Sequence, residues 1–282
     1  MIEKRKFSSK VYTILKYIIC IFLAILSIFP FYIMFVNATR STTQIMQNSV
    51  SLIPSTFFSS NRAVLDGKDF DAMRGFMNSF IVSSGVTVVT VYFSSLTAYA
   101  LSAYQWKFRQ AFFTFILAIM VLPAQVTSIG FYQMVYKVGM TNNFLALILP
   151  AIAAPTTVFF MRQYLQASLS IDIVNSARID GSSEFGIFNR IVVPIMKPAM
   201  ATQAIFAFVS SWNNLFIPMI ILTDPKKRTM PIMVGLLRGD IYKTEFGSVY
   251  LGLSLTVLPL FVVYFLLSKY IIAGVALGGV KE

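Results

Sequence analysis

The sequence predicts an all-α membrane protein with six transmembrane helices and both termini in the cytoplasm. Of its 282 residues, 57% are hydrophobic and only 12% are charged, with a mean hydropathy of +0.73. Soluble domains carry about 25% charged residues, so this composition excludes a soluble or disordered chain. With one cysteine, Cys20, and no histidine, the sequence also excludes an internal disulfide and a histidine-based catalytic or metal site.

Six long segments without Asp, Glu, Lys or Arg set the number of spans. Each has at least 23 residues, and about 20 helical residues cross the roughly 30 Å hydrocarbon core. A seventh charge-free stretch, 41–61, is too polar and too interrupted by proline to cross. The sequence therefore predicts spans at 12–36, 78–102, 111–135, 143–165, 199–222 and 247–268.

The orientation follows from the basic residues near the N-terminus. Lys4, Arg5 and Lys6 form a cluster that favours a cytoplasmic N-terminus, and six spans return the C-terminus to the same side. The apolar run at 12–36 is longer than a signal-peptide core, so we expect it to remain as an anchor. The net charge of +12 is interpreted as flanking charge near anionic headgroups of the lipid bilayer. Nucleic-acid binding is not expected, because the basic residues are scattered along the loops.

The predicted spans contain no ionisable side chain at depth. Proton-coupled carriers and pumps usually keep such groups inside the membrane because they function there, so that class is disfavoured. The sequence also has no G-x-x-x-x-G-K-[ST] loop for nucleotide phosphates. Any energy used for transport must therefore come from another chain.

Two spans carry polar faces. Six hydroxyl residues of the second span lie within an arc of about 80°, either as a helix-packing seam or as the wall of a hydrated path; they are Ser79, Ser83, Thr87, Thr90, Ser94 and Thr97. In the fifth span Gln203, Ser210 and Asn214 share an arc of about 40°. Amides in lipid are unfavourable unless they are paired, so this face must contact protein or water. An aromatic side chain beside amides suits a sugar ring, although Trp is common at membrane interfaces. The candidate substrate path is Gln203, Ser210, Trp212, Asn213 and Asn214.

The segment 170–198 between the fourth and fifth spans is long for a helix connection and predicts two short helices. Ser170 can cap the first helix, and Gly181 can end it in a left-handed conformation. Ser182 or Ser183 can cap the second helix, which runs toward Pro194. By itself, such a segment could be an amphipathic surface anchor.

This segment resembles the EAA loop of binding-protein-dependent ABC importer permeases, whose pattern is E-A-A-x-x-D-G-A followed by I-x-x-P. The matching positions are Asn175, Ser176, Ala177, Asp180, Gly181, Ser182, Ile191 and Pro194. The sequence departs from the pattern where Asn175 and Ser176 replace the glutamate and the first alanine. Further segments resemble the carbohydrate subfamily of MalG type, at 78–102, 121–143, 211–232 and 274–282.

The resemblance implies a type I ABC importer permease fold and a division of the chain into three parts. Residues 1–76 would hold the N-terminal tail, the first span and an external loop. Residues 77–270 would form the permease core with five spans and the coupling loop 170–198, and residues 271–282 would be a cytoplasmic tail. The external loop 223–246 matches a segment that probes the solute-binding protein, and it is unusually basic here.

The resemblance also implies the partners and the contact residues. The chain would import a sugar of oligosaccharide size across a bacterial cell membrane. It would pair with a MalF-like permease, a MalK-like ATPase dimer and an extracytoplasmic solute-binding protein. The ATPase contacts would be the six residues Asn175, Ser176, Ala177, Asp180, Gly181 and Ser182, and in the tail Gly278, Gly279, Val280 and Lys281.

No catalytic, cofactor or metal site is expected in this chain, since ATP and magnesium would bind to the partner ATPase. In the coupling helix Ala177 would avoid a bulky side chain at the partner surface. Two alternatives remain open: an ABC permease for a non-sugar solute, and a carrier or channel that works without an ATPase.

Overall fold

The computed structural model describes residues 2–67, 70–236 and 244–279, and every regular element in these ranges is helical. The helices are α1 Ile2–Asn37, α2 Thr42–Gln47, α3 Phe58–Gly67, α4 Ala72–Ala103, α5 Arg109–Met120, α6 Ala124–Lys137, α7 Leu145–Ile148, α8 Pro155–Ser168, α9 Ile171–Ile179, α10 Glu184–Ile187, α11 Val193–Trp212, α12 Phe216–Ile221, α13 Met230–Leu236 and α14 Phe246–Gly279. They form two compact units, one of residues 1–71 with 236–257 and the other of residues 72–235 with 258–282.

Four helical segments in the described part of the chain are long and apolar enough to cross a membrane. They are Tyr12–Asn37, Ala72–Ala103, Leu145–Ser168 and Glu184–Trp212. Two shorter apolar helices, Arg109–Met120 and Phe246–Pro259, lie where the third and sixth spans are predicted. Each predicted span overlaps an apolar helix, and four of them overlap a segment long enough to cross.

The first unit contains a buried polar cluster. The Arg40 guanidinium donates to Asn37 Oδ1 at 2.9 Å and to the Asn48 carbonyl at 2.7 Å. The Asn61 amide donates to the carbonyls of Ala38 and Arg40. Gly247 lies against this cluster, because a Cβ atom there would be 2.4 Å from the Arg40 carbonyl oxygen. These bonds satisfy backbone groups at the end of α1 that would otherwise have no partner.

In the second unit α4 packs against α8 and α11. The hydroxyl residues of α4 are largely inside this contact, since Ser79, Ser83, Thr90 and Ser94 are all at most 5% exposed. Ser79 Oγ accepts a hydrogen bond from the Met230 N–H at 2.8 Å. This hydroxyl face of α4 is therefore a packing seam, in which small side chains let helices approach closely.

Three predicted spans are broken rather than continuous. The third is interrupted between α5 and α6, where Pro123 has an extended ψ of 127° and precedes the first residue of α6. The fourth breaks before α8, which begins at Pro155. Proline lacks an N–H and fits the first helical turn, so both residues start helices instead of bending them. The fifth breaks after Trp212, and α12 begins at Phe216.

The start of the fifth span differs from the prediction at residue 199. Helix α10 continues through a π turn, Phe188–Val192, directly into α11. Pro194 has no N–H, so it cannot donate the usual helical hydrogen bond to the preceding turn. The π turn changes the hydrogen-bond pattern at this point, and the helix continues without that bond. The second helix of the segment 170–198 and the start of the fifth span are consequently one uninterrupted helical rod from Glu184 to Trp212.

Candidate functional site

Helix α9 has the predicted caps. Ser170 Oγ accepts from the Asp172 N–H at 3.3 Å, and Gly181 has a φ of +79°. The Ser182 N–H donates to the Ala177 carbonyl at 3.0 Å, which closes the last turn of α9 over the left-handed glycine. The second helix starts at Ser183, whose Oγ accepts from the Gly186 N–H at 3.2 Å. The predicted helix–turn–helix is present, and Ser183 rather than Ser182 is its cap.

Helix α9 has one buried face and one exposed face. Val174 is fully buried and Ala177 is 8% exposed, and both pack in a core cluster with Tyr99 and Phe188. Ala177 therefore contacts the chain's own interior, which corrects the expectation that it clears space at a partner surface. The predicted ATPase-contact residues that remain exposed are Asn175, Ser176, Asp180, Gly181 and Ser182.

A hydrogen-bonded cluster centred on Glu184 fixes α9 to the rest of the unit. Its Oε1 accepts from Arg178 Nε at 2.6 Å. Its Oε2 accepts from the Tyr99 hydroxyl at 3.1 Å and from the Tyr104 hydroxyl. Arg178 Nη1 also donates to Asn175 Oδ1 at 3.1 Å. One carboxylate thus joins α9, the rod that begins at Glu184 and the end of α4.

The electrostatics of this cluster favour the charged pair. The hydrogen bond to Glu184 raises the pKa of the Arg178 guanidinium. Burial, followed by the hydrogen bond to Glu184, raises the pKa of the Tyr104 phenol. Arg178 and Tyr104 therefore both keep their protons and remain donors to the carboxylate across the physiological pH range.

A cavity of about 600 Å³ lies between α4, α6, α8, α11 and α12. Hydroxyl and amide side chains supply its polar lining, and none of the lining residues is charged; the polar ones are Thr90, Thr127, Ser128, Thr156, Thr157, Gln203, Ser210, Ser211 and Asn214. The volume is within the roughly 300–1,000 Å³ range of small-molecule sites. Such a lining can exchange hydrogen bonds with a neutral polyhydroxylated molecule.

The structure separates the five candidate residues of the fifth span into two groups. Gln203, Ser210 and Asn214 line the cavity. Trp212 does not line it: the ring is 1% exposed and stacks on Phe208 with a centroid distance of 5.5 Å. Asn213 caps the end of α11, is exposed and also lies outside the cavity lining. The periodicity of the amides predicted the first group, whereas Trp212 is a packing residue.

The chain matches the family model of the binding-protein-dependent transport system inner membrane component over residues 90–276. The chain belongs to this family. It is 34% identical to the arabinooligosaccharides transport system permease protein AraQ of Halalkalibacterium halodurans, over 92% of this chain and 93% of that protein. It is 30% identical to the trehalose/maltose transport system permease protein MalG of Thermococcus litoralis, over 93% and 94% of the two chains.

The permease also shares its fold with a solved structure. A bacterial ABC transporter involved in the import of the acidic polysaccharide alginate superposes with a TM-score of 0.75, covering 94% of this chain and 98% of that one, at 23% identity. The predicted ABC importer permease fold and the resemblance to carbohydrate permeases are thereby confirmed. The permease is accordingly a multi-pass membrane protein.

Two predicted contact regions of the permease are only partly described. Gly278 and Gly279 are the last residues of α14, and Val280 and Lys281 lie outside the described residues. In the basic loop 223–246, the Asn78 amide donates to the carbonyls of Lys226 and Arg228 at 3.0 and 2.9 Å. This fixes the basic turn to α4, while residues 237–243 of the loop are outside the described ranges.

Sequence reasoning missed two parts of the site. The feature of the sequence that could have predicted the Glu184 cluster is the pair Arg178 and Glu184, which have opposite charges on either side of the turn at Gly181. The hydroxyl residues of α6 and α8, such as Thr127 and Thr157, show no periodic stripe. They reach the cavity because Pro123 and Pro155 start new helices close to them.

Proposed function

We propose that this permease is one of two membrane subunits of an ATP-driven importer for a neutral sugar of oligosaccharide size. The observation that carries the proposal is the 600 Å³ cavity, whose lining combines apolar side chains with hydroxyl and amide groups and contains no charged residue. Hydroxyl and amide side chains bind sugar hydroxyls without the desolvation cost of a charged group. The names of the relatives, which include arabinooligosaccharide and trehalose/maltose permeases, support the same solute class.

The proposed topology has six spans with both termini in the cytoplasm. Six apolar helical regions support it: the four long segments, together with α5–α6 and α14. The short breaks in the third, fourth and fifth spans do not change the count, since the piece after the break in the third and fifth spans (α6 and α12) and the piece before it in the fourth (α7) are each too short to cross the hydrocarbon core. This topology places α9 in the cytoplasm and the basic turn at Lys226 outside the cell.

The proposed coupling runs through α9 to a cytoplasmic ATPase dimer. ATP and magnesium bind that MalK-like partner, and this chain contributes no catalytic site. The exposed residues Asn175, Ser176, Asp180 and Ser182 would contact the ATPase, with the tail from Gly278 as a second contact. Because Glu184 joins α9 to the rod that ends at Trp212, movement of α9 would be transmitted to the cavity wall. ATP must bind one conformation better than the other for this to drive transport.

The other proposed partners are a MalF-like second permease, which would complete the path in a heterodimer, and an extracytoplasmic solute-binding protein. The solute-binding protein would dock on the external loops, including the basic turn at Lys226, Lys227 and Arg228. An importer for a non-sugar solute is the second candidate, and the uncharged lining of the cavity disfavours charged solutes.

The proposal is tested with Gly181→Val in the assembled transporter. A β-branched residue at a φ of +79° is strained by about 1–2 kcal/mol, which distorts the turn after α9. We expect normal membrane insertion but loss of uptake of radiolabelled arabinooligosaccharides. Gly130→Val is the matched control, because an added Cβ there meets open space and Gly130 has no left-handed φ. Normal uptake by Gly181→Val would contradict the coupling role of this turn.

A further inference from the structure

Arg162 is a buried arginine in a helix that is long and apolar enough to cross a membrane. It lies on α8, is 8% exposed, and its guanidinium is 4.0 Å from the ring centroid of Phe113 on α5. Six residues separate it from the end of α8 at Ser168, which is about 9 Å along the helix. That position is the depth at which long basic side chains reach lipid headgroups.

The hydrogen bonds of Arg162 are incomplete. Nη1 donates to Gln166 Oε1 at 3.4 Å, a long contact, and the buried Nε has no hydrogen-bond partner. The charged group that acts on Arg162 is Arg109, another cation. Two ion pairs of the described residues, Arg62–Asp66 and Arg178–Glu184, do not involve Arg162. A buried cation with no acidic partner among the described residues is strongly unfavourable, so the site requires an anion that these residues do not supply.

The surrounding loop has the composition of a membrane interface. Trp106 and Phe108 are 42% and 63% exposed, and the Lys107 ammonium is 5.7 Å from the Phe108 ring centroid. Arg109 follows and is half-buried, with Nη1 bonded to the Tyr104 carbonyl at 3.2 Å. Exposed aromatic rings alternating with basic side chains lie at headgroup level and attract anionic lipids.

We propose that Arg162 and Arg109 bind the phosphate group of an anionic phospholipid. A guanidinium donates two parallel hydrogen bonds to phosphate oxygens, and Nε of Arg162 has no partner among the described residues. The acyl chains would lie against the apolar surface beside α5, where Phe112 is exposed. The same chemistry fits a free phosphate ion, so the experiment must separate the two sources. The inference depends on membrane insertion but not on the solute or the ATPase.

The test measures lipid retention by the purified full chain, using native mass spectrometry after incubation with equal amounts of palmitoyl-oleoyl phosphatidylglycerol and phosphatidylcholine. We expect the wild type to retain phosphatidylglycerol in preference. Arg162→Gln should lower that retention about tenfold, the effect of losing a charge-assisted hydrogen bond. Arg109→Gln should lower it as well, and this more exposed position keeps the test valid if Arg162→Gln does not fold.

Arg62→Gln is the matched control, because Arg62 is exposed and already paired with Asp66, and it should retain phosphatidylglycerol like the wild type. An excess of inorganic phosphate should not displace the lipid. Displacement by inorganic phosphate would assign the site to a soluble anion and overturn the proposal. Equal retention of the two lipids, or unchanged retention in both variants, would overturn it too and leave a carboxylate of a partner subunit as the counter-ion.

Discussion

Glu184 accepts hydrogen bonds from three side chains, so its removal breaks the bonds to Tyr99 and Tyr104 as well as the ion pair with Arg178. Tyr99 is 2% exposed, and in Glu184→Ala its hydroxyl loses its acceptor inside the protein. We expect the free energy of unfolding to fall by about 1–3 kcal/mol, measured by thermal unfolding of the purified permease.

Asp66→Ala is the matched control for Glu184→Ala. It breaks the Arg62–Asp66 pair, whose side chains are 55% and 58% exposed. Exposed pairs contribute less than about 1 kcal/mol, so this change should have little effect. Equal destabilisation by the two variants would show that Glu184 acts only as a surface charge.

Gly247 is needed for a close approach of backbones in the first unit. An added Cβ would lie 2.4 Å from the Arg40 carbonyl oxygen and 2.5 Å from the Asn61 amide, and Asn61 is itself held by two carbonyls. Gly247→Ala should therefore destabilise the permease by about 1–3 kcal/mol through overpacking. Gly130→Ala, which meets open space, should be neutral or slightly stabilising. Thermal unfolding of both variants measures the change in stability. An unchanged stability of Gly247→Ala would contradict the close approach of backbones at this position.

At the scale of the helix, α4 presents hydroxyl groups with different roles on one seam. Ser79 Oγ accepts from the Met230 N–H, whereas the buried Ser94 Oγ has no partner. Ser79→Ala should cost about 1–3 kcal/mol, because it leaves a buried N–H unpaired. Ser94→Ala should be neutral or stabilising, and Ser94→Leu should cost about 1–3 kcal/mol by overpacking the contact. Thermal unfolding of the three variants measures this order, and a costly Ser94→Ala would contradict the packing role.

The prolines of the apolar segments occupy two kinds of position, at the start of a helix and inside a helix. Pro123 and Pro155 stand beside helix starts, where a missing N–H is tolerated. Pro198 and Pro259 lie inside α11 and α14. Counting apolar residues cannot distinguish these two placements, because either is compatible with a span of the same length.

For the molecule as a whole, the cavity predicts which polar residues of the fifth span matter for transport. Asn214 lines the cavity and its neighbour Asn213 does not. Asn214→Ala should raise the substrate concentration for half-maximal uptake about tenfold, as expected for the loss of a hydrogen bond to the solute. Asn213→Ala should leave uptake unchanged. Uptake assays with the transported solute measure both variants, and the opposite order would place the substrate path outside this cavity.

The sequence by itself determined the fold class, the six apolar regions and the turn at Gly181. These features depend on local properties: the absence of charge over a membrane-thick segment, the helical period, and the left-handed conformation that glycine adopts without strain. The cap at Ser170 and the cavity-lining group Gln203, Ser210 and Asn214 follow from the same local rules. They are the parts of the fold and the site that are predictable without a structure.

Only the tertiary structure decided which polar residues meet. Trp212 packs on Phe208 while Asn214, two residues further, lines the cavity, because the helix ends between them and redirects the chain. The side chain of Ala177 is buried, and Glu184 accepts a hydrogen bond from Tyr99 of α4, which is 85 residues away in sequence. Such contacts depend on how separate helices pack together, and helical periodicity specifies the face of a residue but not the neighbour that covers it.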